Sequence, residues 1–466
     1  MKKVVVIGGG VAGLSAGIYA QSCGFDTTIL EGHSIAGGMC TSWKRKGYLF
    51  EGGMHWLVGT APGEMNQLWR FVGALDDSVA IHYNDPFMEY NYGESPIRIY
   101  RSVDDTESYL LSLVSADSKD AQVIKVLCDE IRKLKNDEMP DENHLSALIT
   151  ENVPSFSNES VSEFFRTINV GPQALMFFLF TMGELAKGDG GFPEGGSLPF
   201  VKRMVERFKS LCGDILFNTK AERVIVESGR ATGVAAKGHA YPADAVIVAS
   251  DTMAIDNLFN TPPKAAWLDE MRRVTQPIMT TFISLGVNAD LSGYPKNLVI
   301  KPGKPIELAG HAHKYLSINN YGADPHYSPA GKAALTIQLS GDSYDFWANT
   351  KKENWYDEEK EALANAVIEQ LSEQIPEVKG NVEVCDVATP LTYERYGGNW
   401  KGSWMTAMTP EVGSEPYPPV IDGLAGVYFA GQRMMPPGGL PPALLTGMAA
   451  VEHLCRDMGV AFIGQE

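Results

Sequence analysis

Hydrophobic and polar positions along the chain change period repeatedly, and the changes predict its elements. Val4-Val5-Val6-Ile7 is an unbroken β-branched run, the pattern of a central parallel strand buried on both faces. Residues 14–22 continue as a helix that Gly24 is placed to end, and residues 26–30 form a second strand. Tyr48-Leu49-Phe50 predicts a short strand, residues 198–212 a helix, and residues 221–226 with 231–234 a hairpin turning at Ser228-Gly229-Arg230. Residues 243–249 repeat the fully buried strand pattern. Between residues 256 and 400, strand-like segments at 280–286 and 334–339 are joined by a long amphipathic helix near 358–373. Residues 426–432 are a last buried strand, and Pro436-Pro437-Gly438-Gly439-Leu440-Pro441 opens a helix running to about residue 456. Prolines suit that first turn because they have no backbone donor and a fixed φ.

The first strand runs directly into Gly8-Gly9-Gly10-Val11-Ala12-Gly13, a G-x-G-x-x-G at a strand-to-helix turn. Gly8 serves the tight turn, Gly10 lets backbone approach a pyrophosphate, and Gly13 lets helix and strand pack closely. Glu31 closes the second strand, where a carboxylate can accept from a ribose 2′-hydroxyl and would repel a 2′-phosphate. The site therefore predicts FAD or NAD, not NADP. Met1-Lys2-Lys3 before an apolar stretch has the look of a secretory signal, but five glycines from Gly8 to Gly17 argue against one. No second strand-linked fingerprint follows, since Gly397-Gly398-Asn399-Trp400-Lys401-Gly402 lacks the spacing. One dinucleotide site predicts FAD alone, served by an electron donor or acceptor that comes and goes.

Charge and composition narrow the classes. A net charge of −18 disfavours nucleic acid and electrostatic attachment to anionic lipid. The six cysteines have no C-x-x-C spacing and read as reduced cytosolic thiols, with no metal site. His311 and His313 alternate onto one strand face but lack an acid or thiol partner. Residues 174–180 are too short an apolar run to cross a bilayer, which predicts a core helix in preference to a lipid-touching face. With 466 residues, two domains are expected: a nucleotide-binding one from 1–70, 191–255 and 405–466, and an inserted one from 71–190 and 256–404. Residues 188–196, rich in glycine, predict a flexible return between them.

Three segments resemble the FAD-dependent phytoene desaturase, carotenoid isomerase and retinol saturase superfamily. These are Gly37-Gly38-Met39-Cys40-Thr41 with Gly47-Tyr48-Leu49-Phe50-Glu51-Gly52-Gly53, then Pro193-Glu194-Gly195-Gly196, and finally Gly431-Gln432 with Pro437-Gly438-Gly439-Leu440-Pro441. Relatives often carry Arg where Met39 stands and Asp where Gln432 stands. Met54-His55-Trp56 after the paired glycines is closest to retinol saturases. The resemblance implies an α/β fold: a Rossmann-like FAD-binding domain with an inserted mixed α/β substrate domain, as in amine oxidases and phytoene desaturases. It implies FAD on Gly8, Gly10, Gly13, Glu31, Gly37, Gly38, Gly53, Val224, Gly431, Gln432, Gly438, Gly439 and Leu440, with Gln432 on the ribityl chain or phosphate.

The same likeness implies hydrogen added to or removed from carbon–carbon bonds of a long apolar isoprenoid, carotenoid or retinoid-like substrate. Aromatic and thioether side chains suit such a ligand, which makes Trp56, Tyr393, Trp400, Met434 and Met435 the candidate substrate residues. His55 and Tyr396 are the candidate general acid or base. Cys40, without a partner cysteine, reads as a packed thiol. A cytoplasmic protein with peripheral membrane contact is expected, because such substrates reside in lipid. Two other readings share these features: a reduced-flavin cis–trans isomerase, and a non-catalytic prenyl or lipid escort protein.

Overall fold

The computed structural model describes residues 1–464 apart from 94, 171, 410 and 414. Its first half is built on a five-stranded parallel sheet in the order Val427–Phe429, Ala245–Val248, Lys3–Ile7, Asp26–Leu30, Asp214–Leu216. Strands from the beginning, middle and end of the chain thus lie side by side. Val4 to Ile7 and Ala245 to Val248 are buried on both faces, which is why they carry apolar runs with no alternation. The leading helix Val11–Ser22 and the closing helix Leu440–Met458 cover one face together. They approach closely because a Cβ at Gly447 would lie 2.4 Å from the carbonyl oxygen of Ala12. The strands Ala221–Glu227, Arg230–Ala236 and His239–Pro242 form an antiparallel sheet over the other face.

The second half is a seven-stranded sheet in the order Val382–Ala388, Thr280–Val287, Ala333–Ser340, Leu316–Asn320, Asn297–Ile300, Met88–Asn91, Ile97–Ile99. Its pairings are antiparallel except for Asn297–Ile300 beside Met88–Asn91. One face presents Ile283, Leu285, Leu335, Ile337 and Ile318 to a core that Trp347, Val367 and Leu371 complete from two helices. The other face carries Phe282, Ser284, Thr336, Gln338 and Asn319, neighbours by register. Five helices between Val103 and Ala186 add a separate core. Four start at a side-chain cap, Ser102, Ser118, Asp141 and Asn158, each accepting a backbone N–H three residues on.

Residues 188–196 are not the flexible return that their glycines predict. Buried Asp189 accepts from the backbone N–H of Gly59 (2.6 Å), Thr60 (2.8 Å) and Ala61 (3.0 Å), and Phe192–Pro193 pairs with Ile81–His82. The glycines are there for close approach: a Cβ at Gly191 would lie 2.3 Å from Ile81.

Candidate active site

The nucleotide end is shaped by backbone. A Cβ on Gly13 would lie 1.9 Å from the carbonyl oxygen of Gly8, so helix and strand can meet only over glycine. Gly10 and Gly37 form a bridge between the first glycine loop and the second. Gly37 itself has φ +127°, and a side chain there would meet the Cys40 carbonyl oxygen at 2.4 Å. The leading helix has no side-chain cap at Gly10, which leaves its N-terminal amides and positive dipole end for an anion. The Glu31 carboxylate accepts from Gly9 N–H (2.7 Å) and His33 N–H (2.6 Å), with lone pairs to spare for a ribose.

A cavity of about 2340 Å³ begins at Ile7, Gly8 and Gly10 and ends between the two halves. Drug-sized ligands fill about 300 to 1,000 Å³, so there is room for a dinucleotide and a second molecule. Gly37, Gly38, Gly53, Gly431, Gln432, Gly438, Gly439 and Leu440 all line it. Gly13 does not, and acts through packing. Val224 is corrected by the structure: it lies in the core beneath the hairpin, and Ala221 and Glu222 reach the cavity instead. The ladder slips between Ala221 and Arg223, so the alternation that would put Val224 with Glu222 breaks there.

Buried Glu51 holds the turn after the paired glycines. Its carboxylate accepts from the backbone of Gly53 (3.0 Å), Met54 (3.1 Å) and Ser197 (3.0 Å), and from the hydroxyls of Ser197 and Tyr327. That turn delivers His55 to the cavity wall, between Trp404 (5.5 Å) and Phe282 (6.4 Å). Both imidazole nitrogens are sealed from solvent and lack a hydrogen-bond partner among the described residues. Burial, and after it the Lys296 charge, pull the His55 pKa down to about 4 against a weak opposing effect of Asn319. His55 is therefore neutral at pH 7. The Lys296 ammonium lies 3.2 Å from the centre of the Phe192 ring and 4.9 Å from that of Tyr321.

Tyr396, the other candidate acid or base, lies apart from His55. It is 52% exposed at the cavity edge, with its ring on His33, next to the Glu31 carboxylate. Of the five predicted substrate residues, Trp56 lines the cavity. Tyr393 is buried behind the wall with its hydroxyl toward Gly52 O (3.3 Å), and Met434 belongs to the core. Trp400 and Met435 are not on the lining, where Trp404, Met405 and Met408 stand. A cluster in sequence is not a cluster in space here, because Tyr393 sits on a helix and Trp400 and Met434 on short helical turns that face different ways. Cys40 lines the cavity as a packed thiol, its pKa pushed up to about 12 mainly by burial.

Gln432, expected on the ribityl chain or phosphate, makes two contacts within the protein: its carboxamide oxygen accepts from Gly439 N–H (2.8 Å) and its nitrogen donates to Trp404 O (3.0 Å). Beside it is an ion pair that sequence reasoning missed. Arg433 grips Asp251 in a fork (2.8 and 2.7 Å) and also donates to Thr406 (3.0 Å) and Ser403 (2.7 Å). Asp251 further accepts from Trp400 N–H (2.9 Å). Burial alone would raise the Asp251 carboxyl, but the Arg433 charge and these hydrogen bonds hold it below the usual range. The visible signal was an Asp ending a buried parallel strand. Its partner, 182 residues away, was not legible.

The far end of the cavity is mostly apolar: Val170, Ala174, Met176, Phe177 and Phe180 line it, the last four from the helix Pro172–Ala186, which also contributes Thr181 and Glu184. Sequence favoured core for this run; the structure splits it, with Leu175, Leu179 and Met182 buried and Phe177 56% and Phe180 43% exposed. Among the described residues no helix is long and apolar enough to cross a membrane.

A family model described as flavin containing amine oxidoreductase matches residues 11–455. Among curated proteins, the chain is similar to a lycopene-forming phytoene desaturase of Paracoccus sp., 27% identical over 54% of this chain and 55% of that enzyme. That match spans little more than half of the relative's length. A chloroplastic prolycopene isomerase of Daucus carota is 20% identical over 98% of this chain and 80% of the relative. The all-trans-retinol 13,14-reductase of Danio rerio is 22% identical over 84% and 75%. The fold is similar to that of an oxidoreductase from Methanosarcina mazei, with TM-score 0.61, 20% identity, and 97% and 100% of the two chains covered. It is also similar to cyclohexylamine oxidase from Brevibacterium oxydans IH-35A, with TM-score 0.60, 15% identity, and 98% and 99% covered.

Proposed function

The chain belongs to the flavin containing amine oxidoreductase family and is a FAD-dependent oxidoreductase, and from that premise we propose that it adds or removes hydrogen across carbon–carbon bonds of a long apolar substrate of isoprenoid, carotenoid or retinoid type. The observation that carries this reading is the cavity's second half, which leads past Trp56 and Trp404 to the apolar rim of Met176, Phe177 and Phe180. Its aromatic and thioether lining suits a flexible hydrocarbon body. The exposed rim then meets lipid, where such a substrate resides.

The residues present fit FAD. Gly8, Gly10, Gly37 and Gly38 would hold the pyrophosphate against backbone, and Glu31 the ribose, with Tyr396 and His33 at that edge. Gly53, Gly431 and the segment from Gly438 to Leu440 would border the ring end. When bound, FAD supplies the two-electron exchange with carbon. His55 acts as an uncharged imidazole that keeps one proton and one acceptor nitrogen, and so orients without serving as an imidazolium acid. Trp404 and Phe282 on either side exclude water from it.

The test uses FAD-loaded protein under argon with all-trans-retinol and with phytoene, in turn with and without NADH or NADPH. A change in conjugated-polyene absorbance coupled to flavin bleaching or recovery supports the reading. Flavin bleaching by a primary amine under the same argon, with polyenes left unchanged, would overturn it. Double-bond isomerisation without net redox change would replace it with the isomerase.

A further inference from the structure

The segment between the last parallel strand and the closing helix is fastened at three points. Gly431 N–H donates to the Thr446 hydroxyl (3.1 Å), and Arg433 is locked onto Asp251, Ser403 and Thr406. The third point is Gln432, and it alone ties the start of the closing helix to the segment that carries Trp404. Its oxygen takes Gly439 N–H at the start of the closing helix, and its nitrogen takes the Trp404 carbonyl. Trp404 in turn touches His55.

We propose that Gln432 is a positioning residue whose neutral carboxamide latches the cofactor-facing end of the closing helix to the Trp404–His55 wall. Three observations carry it. Gly438 and Gly439 have φ +98° and +109°, a loop shape with no side chains of its own to hold it, and the Gln432 oxygen lies 2.9 Å from where a Gly438 Cβ would stand. The closing helix has no side-chain cap at Gly439. Its second and third residues, Pro441 and Pro442, have no N–H, and Gly439 N–H is taken by Gln432. Among the described residues, the Leu440 N–H is then the one unpaired donor of that turn, aimed by a helix end that favours negative charge. A carboxamide is required because it alone offers an acceptor and a donor at this length without charge. Glutamate would keep the Gly439 bond, lose the Trp404 bond and cancel the positive helix end. Methionine would lose both bonds and leave the charge unchanged.

This inference rests on the flavin assignment and not on the identity of the substrate. The experiment compares FAD-loaded parent, Gln432→Glu and Gln432→Met by FAD release rate, visible circular dichroism of the bound flavin, and flavin midpoint potential. Gln432→Glu is expected to release FAD about two- to tenfold faster, the effect of one lost hydrogen bond, and Gln432→Met, which loses both bonds, at least as much faster, each with altered flavin dichroism. The midpoint is expected to fall in Gln432→Glu alone. Parental release and dichroism in Gln432→Met would overturn the latch, as would equal midpoints in the two variants. Apoprotein melting temperature separates either result from misfolding.

Discussion

The two halves of the molecule make their contributions to one cavity with different materials. The nucleotide half uses backbone: Gly8, Gly10, Gly37, Gly38, Gly53 and Gly438 bring main chain to the surface, and most of them tolerate no Cβ. The substrate end of that cavity uses side chains: Trp56, Trp404, Met405, Met176, Phe177 and Phe180. A pyrophosphate is recognised by amide donors at fixed positions, which demands rigid main chain. An apolar ligand is recognised by shape and area, which many side chains can supply. The first kind of site allows little sequence variation and the second allows much.

Substitutions that break or sharpen this contrast fall in a clear order. Gly13→Val should have the largest effect, because its Cβ cannot coexist with the Gly8 carbonyl. A loss above about 4 kcal/mol is expected, in the exceptional tail of point mutations, together with loss of FAD; denaturant unfolding with flavin absorbance checks both. Arg433→Met comes next. It leaves Asp251 charged, buried and unpaired, at a cost of about 3 to 5 kcal/mol, and Arg433→Met with Asp251→Asn should recover part of it in a double-mutant cycle.

His55→Phe should change pH dependence more than stability at pH 7. The folded pKa of about 4 lies below the ordinary 6.5, so the unfolded chain binds the extra proton first. Parent stability therefore falls as pH drops from 6.5 toward 4, by up to about 1.4 kcal/mol per pH unit. The Phe variant should lack that component in urea titrations across the window. Equal slopes would mean that the imidazole charges freely in the fold. The smallest effect on stability is expected for Phe177→Ser with Phe180→Ser, within about 0.5 kcal/mol per site because both are exposed. Their effect should fall on uptake of polyene from vesicles, with FAD content unchanged.

The contrast also explains what was legible. Every strand of the parallel sheet but the short Asp214–Leu216 was visible in the sequence, three of them as apolar runs, and the glycine loops announced themselves by spacing. Residues 280–286 and 334–339 predicted strands, but not that the face carrying Phe282 would turn toward His55. Met434, expected beside the flavin loop, and Val224, implied by the resemblance, have side chains in the core, while Arg433 and Glu222 line the cavity. Residues 174–180 are apolar without a break, so that run held no period from which a buried and an exposed face could be separated.

Sequence alone determined the nucleotide fingerprint, the cofactor class and the return of the chain's end to its beginning. Each depends on local conformation, on glycine φ and on strand and helix period, all of which are written in neighbouring residues. Tertiary structure alone decided the Asp251–Arg433 pair, the two-ended engagement of Gln432, the neutrality of His55 and the exposed rim of Phe177 and Phe180. These depend on burial and on contacts between residues far apart in the chain, and electrostatic energies grow as water is removed from around them. The elements follow from local preference; the chemistry of the cavity follows from what the folded chain places against each side chain.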